Sequence, residues 1–255
     1  MLFCKDMRKP VLAGNWKMYK TAAETAAFFE AFAPLVARAS HAEIVICPPF
    51  VNLPAAVAAA QGTAIEVGGQ DLFWLREGAY TGEISAPMLT AVGCRWVIIG
   101  HSERRQYFQE TDETVLKKTQ AALAAGLTPI VCVGERLEER ESGATESVLR
   151  TQCAGGILGL TPEQFAAVVI AYEPVWAIGT GKTATPEIAA DAHRVLRAEV
   201  ANHFGDAAGA ACRILYGGSV KPDNVAKLMA QPEIDGALVG GASLDAASFA
   251  AIVNY

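Results

Sequence analysis

The chain has no apolar run approaching the roughly 20 residues that a membrane-spanning helix needs. Its opening segment, Met1 to Lys9, lacks the apolar core of a secretory signal peptide. Positive charge is in deficit: 21 Lys and Arg face 27 Asp and Glu, a net charge of -6, with a pI near 5.3. That balance argues against nucleic acid or a membrane surface as the main partner, although local charge could still bind phosphate. The six cysteines (Cys4, Cys47, Cys94, Cys132, Cys153, Cys212) stand singly, with no CxxC pair and no metal spacing to the four histidines. No metal site is expected, and scattered thiols in a chain of this size suggest a reducing compartment. A soluble cytoplasmic protein is the expectation. There is also no linker rich in Pro, Ser or charge, no low-complexity tract and no repeat beyond an alternation of elements. Residues 1–255 are therefore read as a single domain.

What is present is apolar and periodic. At 255 residues and 52% hydrophobic, the chain can bury a large core. Eight short apolar segments recur: Val11 to Gly14, Glu43 to Cys47, Ala64 to Gly68, Trp96 to Gly100, Thr128 to Val133, Val168 to Tyr172, Arg213 to Tyr216 and Gly236 to Val239. Amphipathic stretches lie between them, including Thr21 to Ala39, Asp112 to Ala125, Pro186 to Phe204, Pro222 to Ala230 and Asp245 to Val253. Strands that read apolar almost continuously are buried on both faces, which implies parallel strands covered by helices. Thr21-Ala22-Ala23-Glu24 reads as a capping box, and Gly126 fits the position just past a helix end. Eight strands with intervening helices fit a closed (β/α)8 barrel, with a doubly wound open sheet as the rival.

The chemistry concentrates after the sixth strand. The run Val168 to Tyr172 ends abruptly in Glu173, and Pro174 discourages the strand from continuing. Glu173 should therefore stand at a strand's carboxyl end. Behind it come Val175, Trp176, Ala177 and Ile178, then Gly179, Thr180, Gly181 and Lys182, and then Thr185-Pro186 as an N-cap with proline at the first helical position. That sequence suits a hinged lid beside a base. A P-loop fails, because its first glycine would fall at Trp176. The dinucleotide fingerprint fits only loosely: five residues separate Glu173 from Gly179, and no strand ending in an acidic residue follows at the required distance. A plain surface loop stays open on this segment alone.

In a barrel the functional face lies at the carboxyl ends of the strands. There the sequence places Asn15-Trp16-Lys17, His101-Ser102-Glu103, Glu173, Gly217-Gly218-Ser219 and Gly240-Gly241-Ala242-Ser243. Each has a plainer reading, with Asn15 tying a turn, Lys17 solvated, Ser102 capping a helix and the glycines serving turns. Two glycine pairs after consecutive strands are less easily dismissed, since backbone N–H groups at a helix start make an anion site.

Seven segments in order carry a resemblance to the triosephosphate isomerase family: Ala13-Gly14-Asn15-Trp16-Lys17-Met18, Gly78-Ala79-Tyr80-Thr81-Gly82-Glu83, Gly100 to Arg105, Pro129 to Glu135, the Glu173 stretch, Tyr216-Gly217-Gly218-Ser219-Val220 and Val239 to Leu244. The resemblance covers nearly the whole chain. It implies a single (β/α)8 TIM barrel that interconverts dihydroxyacetone phosphate and D-glyceraldehyde 3-phosphate without a cofactor, as a homodimer. By resemblance, Glu173 is the base, His101 a neutral donor to the enediolate, and Lys17 and Asn15 supply charge and a further hydrogen bond. Phosphate would be held by backbone N–H groups of Gly179, Ser219, Gly240 and Gly241. Ile178 and Leu238 resemble the pair that packs on the glutamate under a shut lid, where desolvation should raise its pKa and strengthen the base. Tyr216 and Ser219 would hydrogen-bond the closed lid at Ala184 and Gly181.

Thr81 resembles the tip of a loop that enters the partner subunit and braces the partner's Asn15 and Glu103. The chain departs from the usual pattern at Phe73-Trp74-Leu75, a more apolar version of this loop that fits an interface core. It departs again at Met1 to Asp6, read as a disordered extension or as the consequence of a start at Met1 rather than Met7. Two other functions compete: a lyase using Lys17 as a Schiff-base nucleophile, which fits poorly just beyond a strand end, and a catalytically silent phosphate binder, which would have lost Glu173, His101 or Lys17.

Overall fold

The computed structural model describes residues 8–178 and 183–255. Eight strands, β1 (Val11–Asn15), β2 (Glu43–Cys47), β3 (Ile65–Gly69), β4 (Trp96–Ile99), β5 (Thr128–Val133), β6 (Val169–Tyr172), β7 (Arg213–Tyr216) and β8 (Gly236–Val239), pair in sequence order into a closed barrel. All pairings are parallel, and β1 joins β8 with Val11 opposite Gly236, which sets the open-sheet alternative aside. The strands fall where the apolar segments predicted them, within a residue at each end.

Alternation along the strands makes two cores. Val11 and Ala13, Val45 and Cys47, Trp96 and Ile98, Ile130 and Cys132, and Val169 and Ala171 pack with Leu215 and Leu238 in one cluster inside the barrel. The intervening residues, such as Leu12, Ile44, Ile46, Val97, Val131 and Ile170, meet the helices in a second, larger cluster. That double burial is why the strands read apolar without a polar face. β3 adds no apolar side chain to the inner cluster. Glu66 accepts from Trp96 Nε1 at 2.5 Å, and a Cβ at Gly68 would lie 2.9 Å from both Cys47 Sγ and Trp96 Cβ. The large Trp96 ring is accommodated because its neighbour has no side chain.

The helices between strands are α1 (Ala22–Val36), α2 (Leu53–Ala60), α3 (Ala86–Val92), α4 (Ser102–Tyr107), α5 (Asp112–Ala124), α6 (Leu137–Glu141), α7 (Thr145–Gly156), α8 (Pro162–Phe165), α9 (Pro186–Phe204), α10 (Asp206–Ala211), α11 (Val225–Met229) and α12 (Ala246–Val253). The predicted capping box starts α1, with Thr21 and Glu24 exchanging hydrogen bonds. α1 ends at Val36, short of Ala39, where the chain leaves the helical ladder and Ala39 N donates to Val36 O at 2.9 Å; Pro34 sits in the last turn. Its Phe28, Phe29 and Phe32 pack with Trp16 and Phe249, centroids 4.8 to 6.3 Å apart in the pairs they form. Each buried ring contributes about 1.5–3 kcal/mol of transfer free energy, and together they fasten the β1 loop to the helical shell. Gly126 follows α5 with φ +78, the left-handed end expected there. α11 starts three residues later than predicted, since Asn224 Oδ1 accepts from Lys221 N at 2.9 Å and holds that stretch as a turn. Among the described residues no helix is long and apolar enough to cross a membrane, and no group of three or more His, Cys, Asp or Glu could hold a metal ion.

Candidate active site

The strand ends converge on one cavity of about 280 Å³, lined by Asn15, Lys17, His101, Glu173, Ile178, Ser219, Leu238, Gly240 and Gly241 among others. Residues drawn from β1, β4, β6, β7 and β8 and the loops after them are separated by up to more than 200 positions in the chain. Only closure of the barrel brings them to one mouth.

Glu173 is held between two strand ends. Its N–H donates to Val133 O at 2.8 Å, continuing the β5–β6 ladder by one residue. Its carboxylate is buried, with 2% of the residue exposed. Oε2 accepts from Ser102 N at 2.9 Å, and Oε1 accepts from Ser102 Oγ at 3.3 Å and from His101 Nε2 at 2.9 Å. Burial pushes this carboxyl's pKa up, but His101, the Ser102 N–H and the Cys132 thiol outweigh it and leave the pKa below the usual carboxylate value. The strengthening expected of a desolvated base is therefore absent while Glu173 rests on Ser102. It requires the carboxylate to leave these donors.

His101 stands as the N-cap of α4, and its Nδ1 accepts from Glu103 N at 3.2 Å. Burial disfavours a charged ring, the Glu173 and Glu103 carboxylates favour one, and the balance lies above the ordinary imidazole value. The hydrogen bonds nonetheless identify the form present. A proton on Nδ1 would set N–H against N–H at the positive end of a helix, so the ring is assigned as neutral, with Nε2–H aimed at Glu173.

Lys17 has φ +52, a left-handed conformation that a long side chain adopts at a cost. Asn15 Oδ1 accepts its N–H at 3.0 Å, and its Nζ meets Glu103 Oε1 at 2.5 Å. Trp16, between them, turns inward and donates from Nε1 to Ser243 O at 3.0 Å, tying the first strand's loop to the last. After β8, Ser243 N and Oγ both donate to Gly240 O, at 2.8 and 2.7 Å, and shape the turn Gly241–Leu244. A Cβ at Gly241 would meet nothing within 4 Å, so its backbone faces open space.

The expected hinge follows Glu173 as a short 3-10 turn over Val175–Ala177. Val175 N donates to Glu135 O at 3.1 Å, while Trp176 Nε1 and Tyr172 OH both donate to Glu135 Oε1, at 2.9 and 3.0 Å. Tyr216 lies buried beside the Ala184 backbone, and burial pushes its phenol up to about 12 against the pull of that neighbour. Gly179, Thr180, Gly181 and Lys182 lie outside the described residues, and with them the contact expected between Ser219 and Gly181. Phe73, Trp74, Leu75 and Thr81 stand apart from the cavity. Phe73 stacks on Trp74 with centroids 4.0 Å apart and tilts against Tyr80 at 4.4 Å, while Leu75 is 41% exposed.

Two residues near the site escaped the sequence reading. Ser102 is read there only as a cap, but the cap is His101, and both the N–H and the hydroxyl of Ser102 hold Glu173. Glu135 is seen within a motif without a role, and it is fully buried beneath the hinge. A carboxylate directly after an apolar strand and a glycine was the signal available for it.

The sequence profile of triosephosphate isomerase matches residues 10–255. A protein of Solibacter usitatus named triosephosphate isomerase is 71% identical over 249 residues, covering 98% of this chain and 100% of that one. One of Citrifermentans bemidjiense with the same name is 59% identical, covering 98% and 99%. The crystal structure of triosephosphate isomerase from Bartonella henselae superposes with a TM-score of 0.87 at 43% identity, over 96% of this chain and 98% of that one.

Proposed function

The chain belongs to the triosephosphate isomerase family and interconverts dihydroxyacetone phosphate and D-glyceraldehyde 3-phosphate through an enediolate, and from that premise we propose that Glu173 is its base, His101 and Lys17 its electrophiles, and the Ser219 and Gly240–Gly241 turns its phosphate cradle. The observation that carries this reading is the convergence of Asn15, Lys17, His101, Glu173, Ser219, Gly240 and Gly241 on one cavity.

Moving a proton between adjacent carbons needs one base that can reach both. Glu173 takes the proton from C1 of the ketose and returns it to C2, while the O1 hydroxyl proton passes to O2 by way of the His101 Nε2 donor, so the carboxylate and the imidazole both end each turnover as they began. Charge accumulates on the two substrate oxygens in between. The His101 Nε2–H, the Lys17 ammonium and the Asn15 amide line that cavity, and once His101 has released Glu173 they are the donors for that charge, held by the fold rather than recruited from solvent. Backbone N–H groups at Ser219, Gly240, Gly241 and Gly179 take the phosphate. Binding energy from this non-reacting end draws the lid 174–182 shut and moves Glu173 from Ser102 to the substrate. Ile178 and Leu238, both on the cavity wall, then pack on the carboxylate, desolvate it and keep water from the enediolate.

Several coarser readings belong with this one. We take residues 1–255 as one domain, place the enzyme in the cytoplasm, and assign a homodimer in which Thr81 reaches the partner and Phe73, Trp74 and Leu75 form interface core. Tyr107 and Phe108, 66% and 65% exposed, add to the apolar surface that such a contact would cover.

Proton NMR of dihydroxyacetone phosphate in D₂O tests the central assignment. Wild type should incorporate deuterium at C1 and form glyceraldehyde phosphate, and Glu173→Gln should lose both by roughly 100- to 10,000-fold. Wild-type exchange in the variant would remove Glu173 from the base role.

A further inference from the structure

The strained conformation of Lys17 needs an agent that enforces it, and the candidate lies outside the cavity. Gln70 follows directly after β3, half-buried and absent from the cavity wall. Its Nε2 donates to Lys17 O at 2.9 Å and to Cys47 O at 2.9 Å. Both acceptors are carbonyls, so the amide orientation is unambiguous, and one nitrogen uses both hydrogens. Cys47 is the last residue of β2 and its carbonyl also accepts from Trp16 N at 3.1 Å. The Gln70 amide therefore pins the loop after β1 to the rigid end of β2 from the end of β3.

The residue beside it restrains the other end of the lysine. Asp71 is buried and pairs with Lys118 Nζ at 2.7 Å and with Arg104 Nε at 2.8 Å. Glu110 closes the same cluster against Lys118 and Arg104. Arg104 is the next residue of α4 after Glu103, whose carboxylate holds Lys17 Nζ. The turn 70–71 thus restrains the lysine's backbone directly and its ammonium through α4.

We propose that Gln70 is a positioning residue that holds Lys17 in its left-handed conformation and so aims the ammonium at the substrate's charge. This rests on the role assigned to Lys17 above. A leucine at 70 would fill the space without donating, and a glutamate would set oxygens against two carbonyls at equal volume. Released, the loop relaxes toward an ordinary backbone and carries Nζ away from the cavity. Displacement of a charge by about 1 Å is worth on the order of 100-fold in rate.

The test is a double-mutant cycle in kcat/KM with glyceraldehyde 3-phosphate, with thermal unfolding recorded for each protein. Gln70→Leu and Gln70→Glu should each lose roughly 10- to 100-fold in the wild-type background. In the Lys17→Ala background the same changes should cost less than about threefold, because the residue they act through is already gone. An equal loss in both backgrounds, as a general loosening of the fold or of the assembly would produce, overturns the proposal. Wild-type kcat/KM in either Gln70 variant overturns it too. If Lys17→Ala alone keeps full activity, the role given to Lys17 fails, and that result is separate from the behaviour of the Gln70 variants. Should Gln70→Leu not fold, the isosteric Gln70→Glu carries the cycle.

Discussion

Gly134→Ala isolates how tightly the base is positioned. Gly134 follows β5, and a Cβ built there would lie 1.7 Å from Glu173 O and 2.6 Å from Glu173 C. Its φ is not left-handed, so the site demands room rather than an unusual backbone. Opening that gap to the roughly 3.3 Å of an ordinary C–H···O contact needs a displacement on the order of 1.5 Å. Gly134 yields little, because Gln152 brackets it, accepting its N–H at 2.7 Å and donating to its carbonyl at 3.1 Å. The shift falls on Glu173, which is also the last rung of the ladder to Val133. Forcing one extra carbon into a packed interior costs about 1–3 kcal/mol, which lowers the melting temperature by roughly 2–12 °C in a chain of this size. Displacing the base by more than 1 Å should reduce kcat by about 100-fold or more, equivalent to ~2.7 kcal/mol of barrier. A coupled assay and a melting curve on the same preparation give both numbers. A folded Gly134→Ala enzyme with wild-type kcat would refute the argument that the β5 end locates Glu173.

Two further outcomes follow from the same structure. Trp74→Asp places a charge where Phe73, Trp74 and Tyr80 stack, and it should shift the sedimentation profile toward monomer at low protein concentration; an unchanged profile would contradict the interface reading. The five described thiols should be inert in the native protein, since burial pushes Cys94 up to about 11 and raises Cys47, Cys132, Cys153 and Cys212 further. At pH 8 every one of these lies below its pKa and stays protonated. Iodoacetamide should then leave these five unlabelled until denaturant is added, as read by mass spectrometry of the peptides.

The strands were legible because each carries a local signal. Largely apolar runs of four to six residues, closed by Gly, Pro, Asn or Glu and broken by a charge only at Glu66 in β3 and at the starts of β2 and β7, report burial on both faces whatever the surrounding chain does. Helix starts were legible at Thr21 and Thr185, where a hydroxyl next to the first turn is its own evidence. Ends were less so: α1 stops within a turn of Pro34, and α11 begins only after Asn224 has closed a turn. The described residues expected to bind or act on the substrate, Asn15, Lys17, His101, Glu173, Ser219, Gly240 and Gly241, line one cavity, with Glu103 one contact away through Lys17. Ser102 was misread as the cap, a position that His101 takes, and its actual task, holding Glu173, depends on a residue 71 positions away. Gln70 was invisible for the same reason. Nothing in Gly-Gly-Gln-Asp reveals that its amide will meet the carbonyls of Lys17 and Cys47.

The sequence by itself determined that eight buried parallel strands alternate with helices, that polar and glycine residues follow five of those strands, and that a carboxylate stands at the carboxyl end of the sixth. These are properties of neighbours within a few residues, where side-chain size, branching and hydrogen-bonding capacity act directly on the backbone. Tertiary structure alone decided that β1 closes on β8, and that the carboxylate of Glu173 rests on Ser102 and His101 with its pKa lowered rather than raised. Each depends on distances between groups far apart in the chain. Electrostatic and hydrogen-bond energies vary steeply over one or two ångströms, and only the closed barrel sets those distances.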